Sequence, residues 1–379
     1  MFSQEAEPDL FDIGNARAVR PDVGGLLPVF VLDRYEGYEV KRLQECTRAE
    51  LDAWVDANAR ALREHGSADL TYVNHVLLGG AVGAASGGPY VVKAHGSELE
   101  YSMRGSAELS AWGGEVLAGA DATIVGSEHI RNVVRDVCGT VDRVHEIPPG
   151  VDVELWKPAP RDEALAGLVA EARSDPPNPG NANERLPDEG NAERLASFLA
   201  GERPTVVYYG KLIENKGVQV LLDALRGLDA RAVIVGFGDY RTDLEAQATG
   251  LDVLFTGPLD HRHLVHLLAL ADVAVVPSIF PEAFGMVAAE AAAAGCPPIV
   301  ADHSGLAEIA RGLEDDYPPG RGGLASFPNG DSVALRERLD AVLALRGADR
   351  EALRAAARKA AVERWSWSSV ARRILDVVE

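Results

Sequence analysis

Residues 277–309 read PSIFPEAFGMVAAEAAAAGCPPIVADHSGLAEI. Just before them, Ala271-Asp272-Val273-Ala274-Val275-Val276 is an apolar run of the kind expected of a parallel strand covered on both faces. A Pro-rich loop follows. Phe284-Gly285-Met286 then opens an Ala-rich helix, Gly295 stops it, and Pro298-Ile299-Val300-Ala301 returns to the sheet. Ser304-Gly305 begins the next helix. Strand, loop, helix and strand in this succession form the repeating unit of a parallel α/β sheet.

The helix opening at Phe284-Gly285-Met286 suggests chemistry. Backbone amides at a helix N-terminus lack intrahelical partners and point outward with the positive end of the dipole. Gly285 lets a ligand approach that backbone. The expected ligand is an anion, most often a phosphate. Glu282 lies just before the helix and Glu290 about two turns inside it, at ~1.5 Å per residue. Carboxylates at both places suit a ligand with hydroxyls at each end of a diphosphate. Glu282 alone is equally accounted for as an acidic residue favouring the dipole. Glu290 is harder to dismiss: it sits among alanines and Val287, and a charge there needs either solvent or a partner.

Upstream, Tyr209-Gly210-Lys211-Leu212-Ile213-Glu214-Asn215-Lys216-Gly217 is a strand end, a Gly turn and two lysines. Two ammonium groups near helix N-termini neutralise a diphosphate without a metal. With these residues quoted, the chain resembles the family-four retaining glycosyltransferases. Glu282 and Glu290 match that family's E-x7-E signature. The Lys211–Gly217 run is similar to its G-R-L-x3-K-G motif, with Lys211 in place of Arg.

The resemblance implies the GT-B fold: α/β, two facing Rossmann-like domains with a cleft between them, and a C-terminal helix crossing back to the first. It also implies retaining transfer of a hexose from a nucleotide-diphospho-sugar to an acceptor hydroxyl. Under it, Gly210, Lys211, Lys216, Gly257, Phe284, Gly285, Met286 and Glu290 bind the donor, with Glu290 on the ribose. Glu282 holds sugar hydroxyls, and Gly257 lies where the base packs against backbone. The alternatives are a non-catalytic nucleotide-sugar-binding protein and another GT-B enzyme such as an epimerase.

Composition agrees with a two-domain globular chain: 379 residues, 47% hydrophobic and 25% charged. The net charge of −21 argues against nucleic acid and against general attraction to anionic lipid. Three widely spaced cysteines, Cys46, Cys138 and Cys296, suit a reducing, cytoplasmic setting. No apolar run reaches the length of a membrane span. His261, His263 and His266 are poorly spaced for one helix face, so no metal site and no cofactor is expected.

In the first half, the opening residues lack the strand, Gly-Gly loop and helix with which the resembled family begins. A βα unit, on the order of 30 residues, is expected to be missing. The reading with Gly24-Gly25 as a divergent start stays open. Strands are expected at Leu27–Asp33, Asp69–His75, Pro89–Ala94 and Ala120–Ser127, with a helix at Arg48–His65 capped by Thr47. Pro89–Ala94 runs into His95-Gly96-Ser97-Glu98-Leu99. Ligands of open α/β sheets sit beyond strand carboxyl ends, which places His95 for chemistry. The resemblance implies that His95 faces the donor sugar. His75 and Ser97 are candidates for the acceptor side.

Four segments are expected. Residues 1–157 form the first, acceptor domain. Residues 158–203, polar and Pro-rich, form a linker with a mobile insertion. Residues 204–363 form the donor domain, and 364–379 a terminal helix packing back on the first domain.

Overall fold

The computed structural model describes residues 19–30, 37–65 and 68–378. Two compact units result. One runs up to Ile147 and takes in the segment from Leu375; the other is Pro148–Ile374.

In the first unit, β1 (Leu26–Val29) and β2 (Glu39–Arg42) pair in parallel as a small sheet. The main sheet is parallel, in the order β3 (Thr71–Asn74), β4 (Tyr90–Lys93), β5 (Ala122–Val125), β6 (Val144–Glu146). The two central strands are buried along their length, while β3 alternates buried-side and exposed positions. This is the difference expected between strands covered on both faces and an edge strand. The helix Arg48–His65 starts as anticipated, with a reciprocal cap. The Glu50 amide donates to Thr47 Oγ1 at 3.3 Å and the Thr47 amide to Glu50 Oε2 at 2.7 Å. The expected strand Leu27–Asp33 is β1 as far as Val29. Its remainder from residue 31, and the opening residues 1–18, lie outside the described residues.

The second unit holds β7 (Thr205–Tyr209), β8 (Arg231–Val235), β9 (Val253–Phe255), β10 (Val273–Val276), β11 (Pro298–Ala301) and β12 (Ser326–Phe327). Its sheet is parallel throughout, in the order β12-β11-β10-β7-β8-β9. The chain starts in the middle at β7, winds outward through β8 and β9, then returns beside β7 at β10 and winds the other way. That is the doubly wound order, and it leaves a crevice at the carboxyl ends of β7 and β10.

Two domain expectations are corrected. The first unit ends at Ile147, not at 157. Val151 donates its amide to Trp365 O at 2.7 Å and accepts from the Trp367 amide at 3.2 Å, and both Val151 and Trp156 are buried in the second unit's core. Nor is 158–203 a mobile linker. Helices Arg161–Arg173 and Asn191–Phe198 bury Ala164, Leu168, Ala172 and Leu195 in that same core. The polar stretch between them is tied down by its own side chains. Asn178 Nδ2 donates to the carbonyls of Asn183 and Pro187, both at 3.0 Å. Buried Asp188 takes a two-pronged bond from Arg241, at 2.8 and 2.6 Å, and its amide donates to Thr256 O at 2.9 Å.

Asp188→Ala is therefore expected to cost about 3 kcal/mol in urea unfolding, since it takes the two-pronged partner from a partly buried guanidinium that keeps only Glu245 among the described residues. A loss under about 0.5 kcal/mol would mean that the segment is not held by this pair.

Candidate active site

At the β7/β10 crevice two loops meet. Gly217, with φ +70°, faces the carbonyl of Pro277; a Cβ there would stand 1.9 Å from that oxygen. Only glycine permits so close an approach. The amides of Ile279 and Phe280 donate to Asn215 O at 3.0 and 3.3 Å. The loop after β7 is thus bonded along its backbone to the loop after β10. That contact brings Lys216 Nζ to 2.5 Å from Glu282 Oε1, the two side chains about a third and a quarter exposed.

Ser278 Oγ also donates to Glu282 Oε1, at 2.8 Å. Behind them the Glu282 amide donates to Ser304 Oγ (2.9 Å), Ser304 Oγ to His303 Nδ1 (3.1 Å), and His303 Nε2 to the Ser278 carbonyl (2.6 Å). This relay fixes the His303 tautomer. The Gly305 amide returns to Glu282 O at 3.0 Å. Ser304 sits at φ +50°, a conformation that L-residues avoid. Strain of this kind persists where the surroundings over-determine a loop.

Gly285, φ +123°, precedes the helix Met286–Ala293. Phe284 points inward, its ring 6.1 Å from that of Trp365, so only its backbone faces the crevice. Glu290 is half-buried. Tyr209 Oη, from the last residue of β7, donates to its Oε2 at 2.9 Å. Burial pushes the Glu290 carboxyl up, and the Tyr209 hydroxyl and His261 partly offset that. The structure thus pairs Lys216 with Glu282 and Tyr209 with Glu290, with Gly285 and Met286 opening the helix that carries Glu290, while the Gly210 amide donates to Val235 O at 3.0 Å. Lys211 is exposed and its side chain joins none of these bonds. Gly257 is buried under the 178–190 segment: a Cβ there would stand 2.7 Å from Asp188 Oδ1 and 3.2 Å from Leu186 O. Its glycine requirement comes from that packing.

In the first unit His95 follows β4 and donates from Nε2 to Asn74 Oδ1 at 3.0 Å. The His75 and His95 rings lie 4.6 Å apart between centroids, and Phe30 covers the other side of His75 at 4.4 Å. Burial, with the His75 and Lys93 charges adding, brings His95 down to about 4. Both histidine loops hang on Glu98, which is fully buried. It accepts the Val76 amide at 2.7 Å, the Leu77 amide at 3.3 Å and the His95 amide at 3.4 Å. His75 itself has φ +72°. Ser97 is half-buried at the start of the helical turn Glu98–Met103.

The comparisons match this layout. The pattern described as Glycosyltransferase Family 4 matches residues 26–155, and that described as Glycosyl transferases group 1 matches residues 191–360. The chain belongs to this family. A D-inositol 3-phosphate glycosyltransferase of Xylanimonas cellulosilytica is 32% identical over 69% of this chain and 58% of its own length. A phosphatidyl-myo-inositol mannosyltransferase of Mycobacterium leprae is 35% identical over 53% of this chain and 54% of its own. The chain thus spans little more than half the length of these curated relatives. Among solved structures, sucrose-phosphate synthase from Thermosynechococcus elongatus gives a TM-score of 0.64 at 20% identity, covering 95% of this chain and 87% of that one. Anabaena HepE in complex with UDP and glucose gives 0.64 at 20% identity, covering 90% and 85%. These likenesses show the fold, which is GT-B.

Against that family frame, sequence reasoning missed Tyr209 as the partner of Glu290, Ser278 and His303 as supports of Glu282, and Glu98 as the anchor of both histidines. It also passed over Gly236 and Gly238 after β8. Their absent Cβ atoms would stand 1.8 Å from Gly210 O and 2.3 Å from Leu212 O. A pair of glycines just past a strand was the available signal. The three histidines weighed as metal ligands go separate ways. His261 packs edge-on to Trp156, His263 lies 3.0 Å from Asp175, and His266 lies under Gly167. No helix among the described residues is long and apolar enough to cross a membrane.

Two outcomes are expected. Gly217→Ala costs about 2 kcal/mol or more in denaturant unfolding, from its left-handed backbone and the backbone carbonyl it meets; an unaffected midpoint contradicts the loop contact. Unfolding frees His95 to protonate below its ordinary 6.5, whereas the folded ring does so only near 4. Stability lost in that window on acidification should be smaller in His95→Gln than in the parent. Parallel pH curves for the two proteins would contradict it.

Proposed function

We propose that the chain is a retaining hexosyltransferase, moving a hexose from a nucleotide-diphospho-sugar to an acceptor hydroxyl without a metal. The observation that carries this reading is the Lys216–Glu282 pair at the β7/β10 crevice, beside a helix N-terminus opened by Gly285 and followed by the Tyr209–Glu290 pair.

As the glycosidic bond stretches, negative charge gathers on the leaving diphosphate. Lys216 and the amides of Gly285 and Met286 stabilise that charge. Lys211, on the exposed side of the same turn, adds to the field. Glu290 takes the ribose diol, with Tyr209 holding its carboxylate in place. Glu282, held by Lys216 and Ser278, takes sugar hydroxyls. For His95 the family resemblance implies a place at the transferred sugar. A ring kept neutral down to about pH 4 exchanges hydrogen bonds there without bringing positive charge. No side chain in this set is an evident nucleophile, which favours attack from the face the leaving group departs, assisted by the leaving phosphate. His75 and Ser97 remain proposed for the acceptor. The relatives named for inositol phosphate and phosphatidylinositol acceptors support a hydroxyl acceptor of polyol type. A cytoplasmic setting is proposed with it, in keeping with three free cysteines.

The test is calorimetric titration with UDP, GDP and ADP, followed by hydrolysis or transfer assays with the matching hexose conjugates in EDTA. One nucleotide should bind, and the product should keep the donor's anomeric configuration. Glu290→Ala should weaken that nucleotide by roughly tenfold or more, the worth of a hydrogen bond to a charged group at about 1.5–3 kcal/mol. Lys216→Ala should weaken it further. A folded chain that binds none of the three, or a Glu290→Ala protein with unchanged affinity, contradicts the proposal.

A further inference from the structure

The opposite end of the second unit's sheet, where β7 and β10 begin, holds a concentration of arginine. A cavity of about 210 Å³ there is lined by Arg161, Arg203, Arg346 and Arg350, with Glu202 and Asp272 as the acidic members. Asp272 is already engaged: Oδ1 pairs with Arg350 at 2.6 Å and Oδ2 accepts the Thr205 amide at 2.8 Å. Arg203 leans outward to Asp252 and Asp229. Among the described residues Arg161 donates to backbone carbonyls, those of Leu199, Gly201 and Leu270, at 2.8, 2.6 and 3.5 Å. Buried Arg231 lies directly behind and donates to the same carbonyls, at 3.3 and 3.2 Å. Burial lowers its pKa, and the charges of Arg161 and Arg203 lower it further, so positive charge is crowded at this point.

A second feature faces the same place. The helix Gly347–Ala360 begins here. Its N-cap is Arg346, whose side chain makes no capping bond, and Arg350 stands one turn inside. A helix of this length carries partial positive charge at its start, where its first amides lack intrahelical partners. Four arginines line this one cavity in a chain of net charge −21, beside a helix start that has no side-chain cap and Asp349 in its first turn; part of their five N–H donors each is already used, Arg346 on the Leu343 and Leu345 carbonyls and Arg350 on Asp272.

We propose that this cavity is an anion site, distinct from the nucleotide crevice, that takes a phosphate or diphosphate group of a small phosphorylated molecule. The planar guanidinium fork matches phosphate oxygens two at a time, and the cavity is large enough for two phosphoryl groups. Glu202 also lines the cavity, where its carboxylate disfavours ligands with negative charge on that side. The site adjoins Thr205 and Asp272, the residues that start β7 and precede β10. A ligand there grips the two strands whose far ends carry Lys216 and Glu282, without competing for the same groups.

The test uses the full chain and inorganic pyrophosphate, with orthophosphate in parallel, followed by calorimetry. Saturable pyrophosphate binding is expected. It should weaken at least tenfold in Arg346→Glu and in Arg350→Gln, and persist in Lys216→Ala, which removes a donor from the other crevice. Circular dichroism confirms that each variant is folded. Should Arg346→Glu misfold, Arg203→Glu at the exposed rim serves in its place, with the same loss expected. Absence of saturable binding, or binding lost in Lys216→Ala and kept in the arginine variants, overturns the proposal.

Discussion

Gly217 against the carbonyl of Pro277 is the contact on which the donor side of this protein depends. Strands β7 and β10 are parallel neighbours because the chain, after β9, returns to β7 and adds its later strands on the other side. Neighbouring strands do not by themselves join their exit loops. The missing side chain at Gly217 lets the turn carrying Lys216 settle on the loop carrying Glu282, and backbone bonds to Asn215 O then hold it there. A carboxylate and an ammonium meet at a place where helix amides also converge. The remaining groups are supports for that meeting. Ser278 takes a second hold on Glu282, and Ser304 accepts a strained backbone so that its hydroxyl can cap the Glu282 amide.

The first unit solves a related problem with a buried carboxyl group. Glu98 has no exposed surface, and among the described residues its oxygens accept backbone amides from both histidine loops, with His75 Nδ1 3.7 Å away. The effect is positional. The turn after β3 and the turn after β4 are referenced to one side chain, so the His75 and His95 rings meet, tilted, at a set distance. Fixing both loops to one buried carboxylate also explains how His75 tolerates a left-handed backbone.

Much of this was readable from residues alone, for a physical reason. Strands covered on both faces are written as apolar runs, and glycines at their exits mark where a ligand or another backbone comes close. Hence β7, β10 and β11, the helix at Met286 and the cap at Thr47 could be anticipated. What escaped reading were polar groups satisfied by distant partners. Asn178 and Asp188 carry the composition of a solvated linker, and only their partners in space, such as Arg241 and the Asn183 and Pro187 carbonyls, turn that stretch into structure. Tyr209 and Glu98 were missed in the same way. Each lies within a motif, but a hydrogen bond across 81 residues, as from Tyr209 to Glu290, has no local signature. Lys211 shows the converse: it matches the motif by position while its side chain stands apart from the bonded cluster.

The central claim is that the ligand's diphosphate and ribose lie where the loops after β7 and β10 meet. Hydrogen–deuterium exchange of the intact chain, with and without whichever of UDP, GDP or ADP it binds, tests this most directly. The account predicts slowed exchange of the amides in residues 210–217 and 278–290, the segments that carry Lys216, Glu282 and the opening of the Met286 helix. Protection confined to other segments, with these two unchanged at saturating nucleotide, would contradict it.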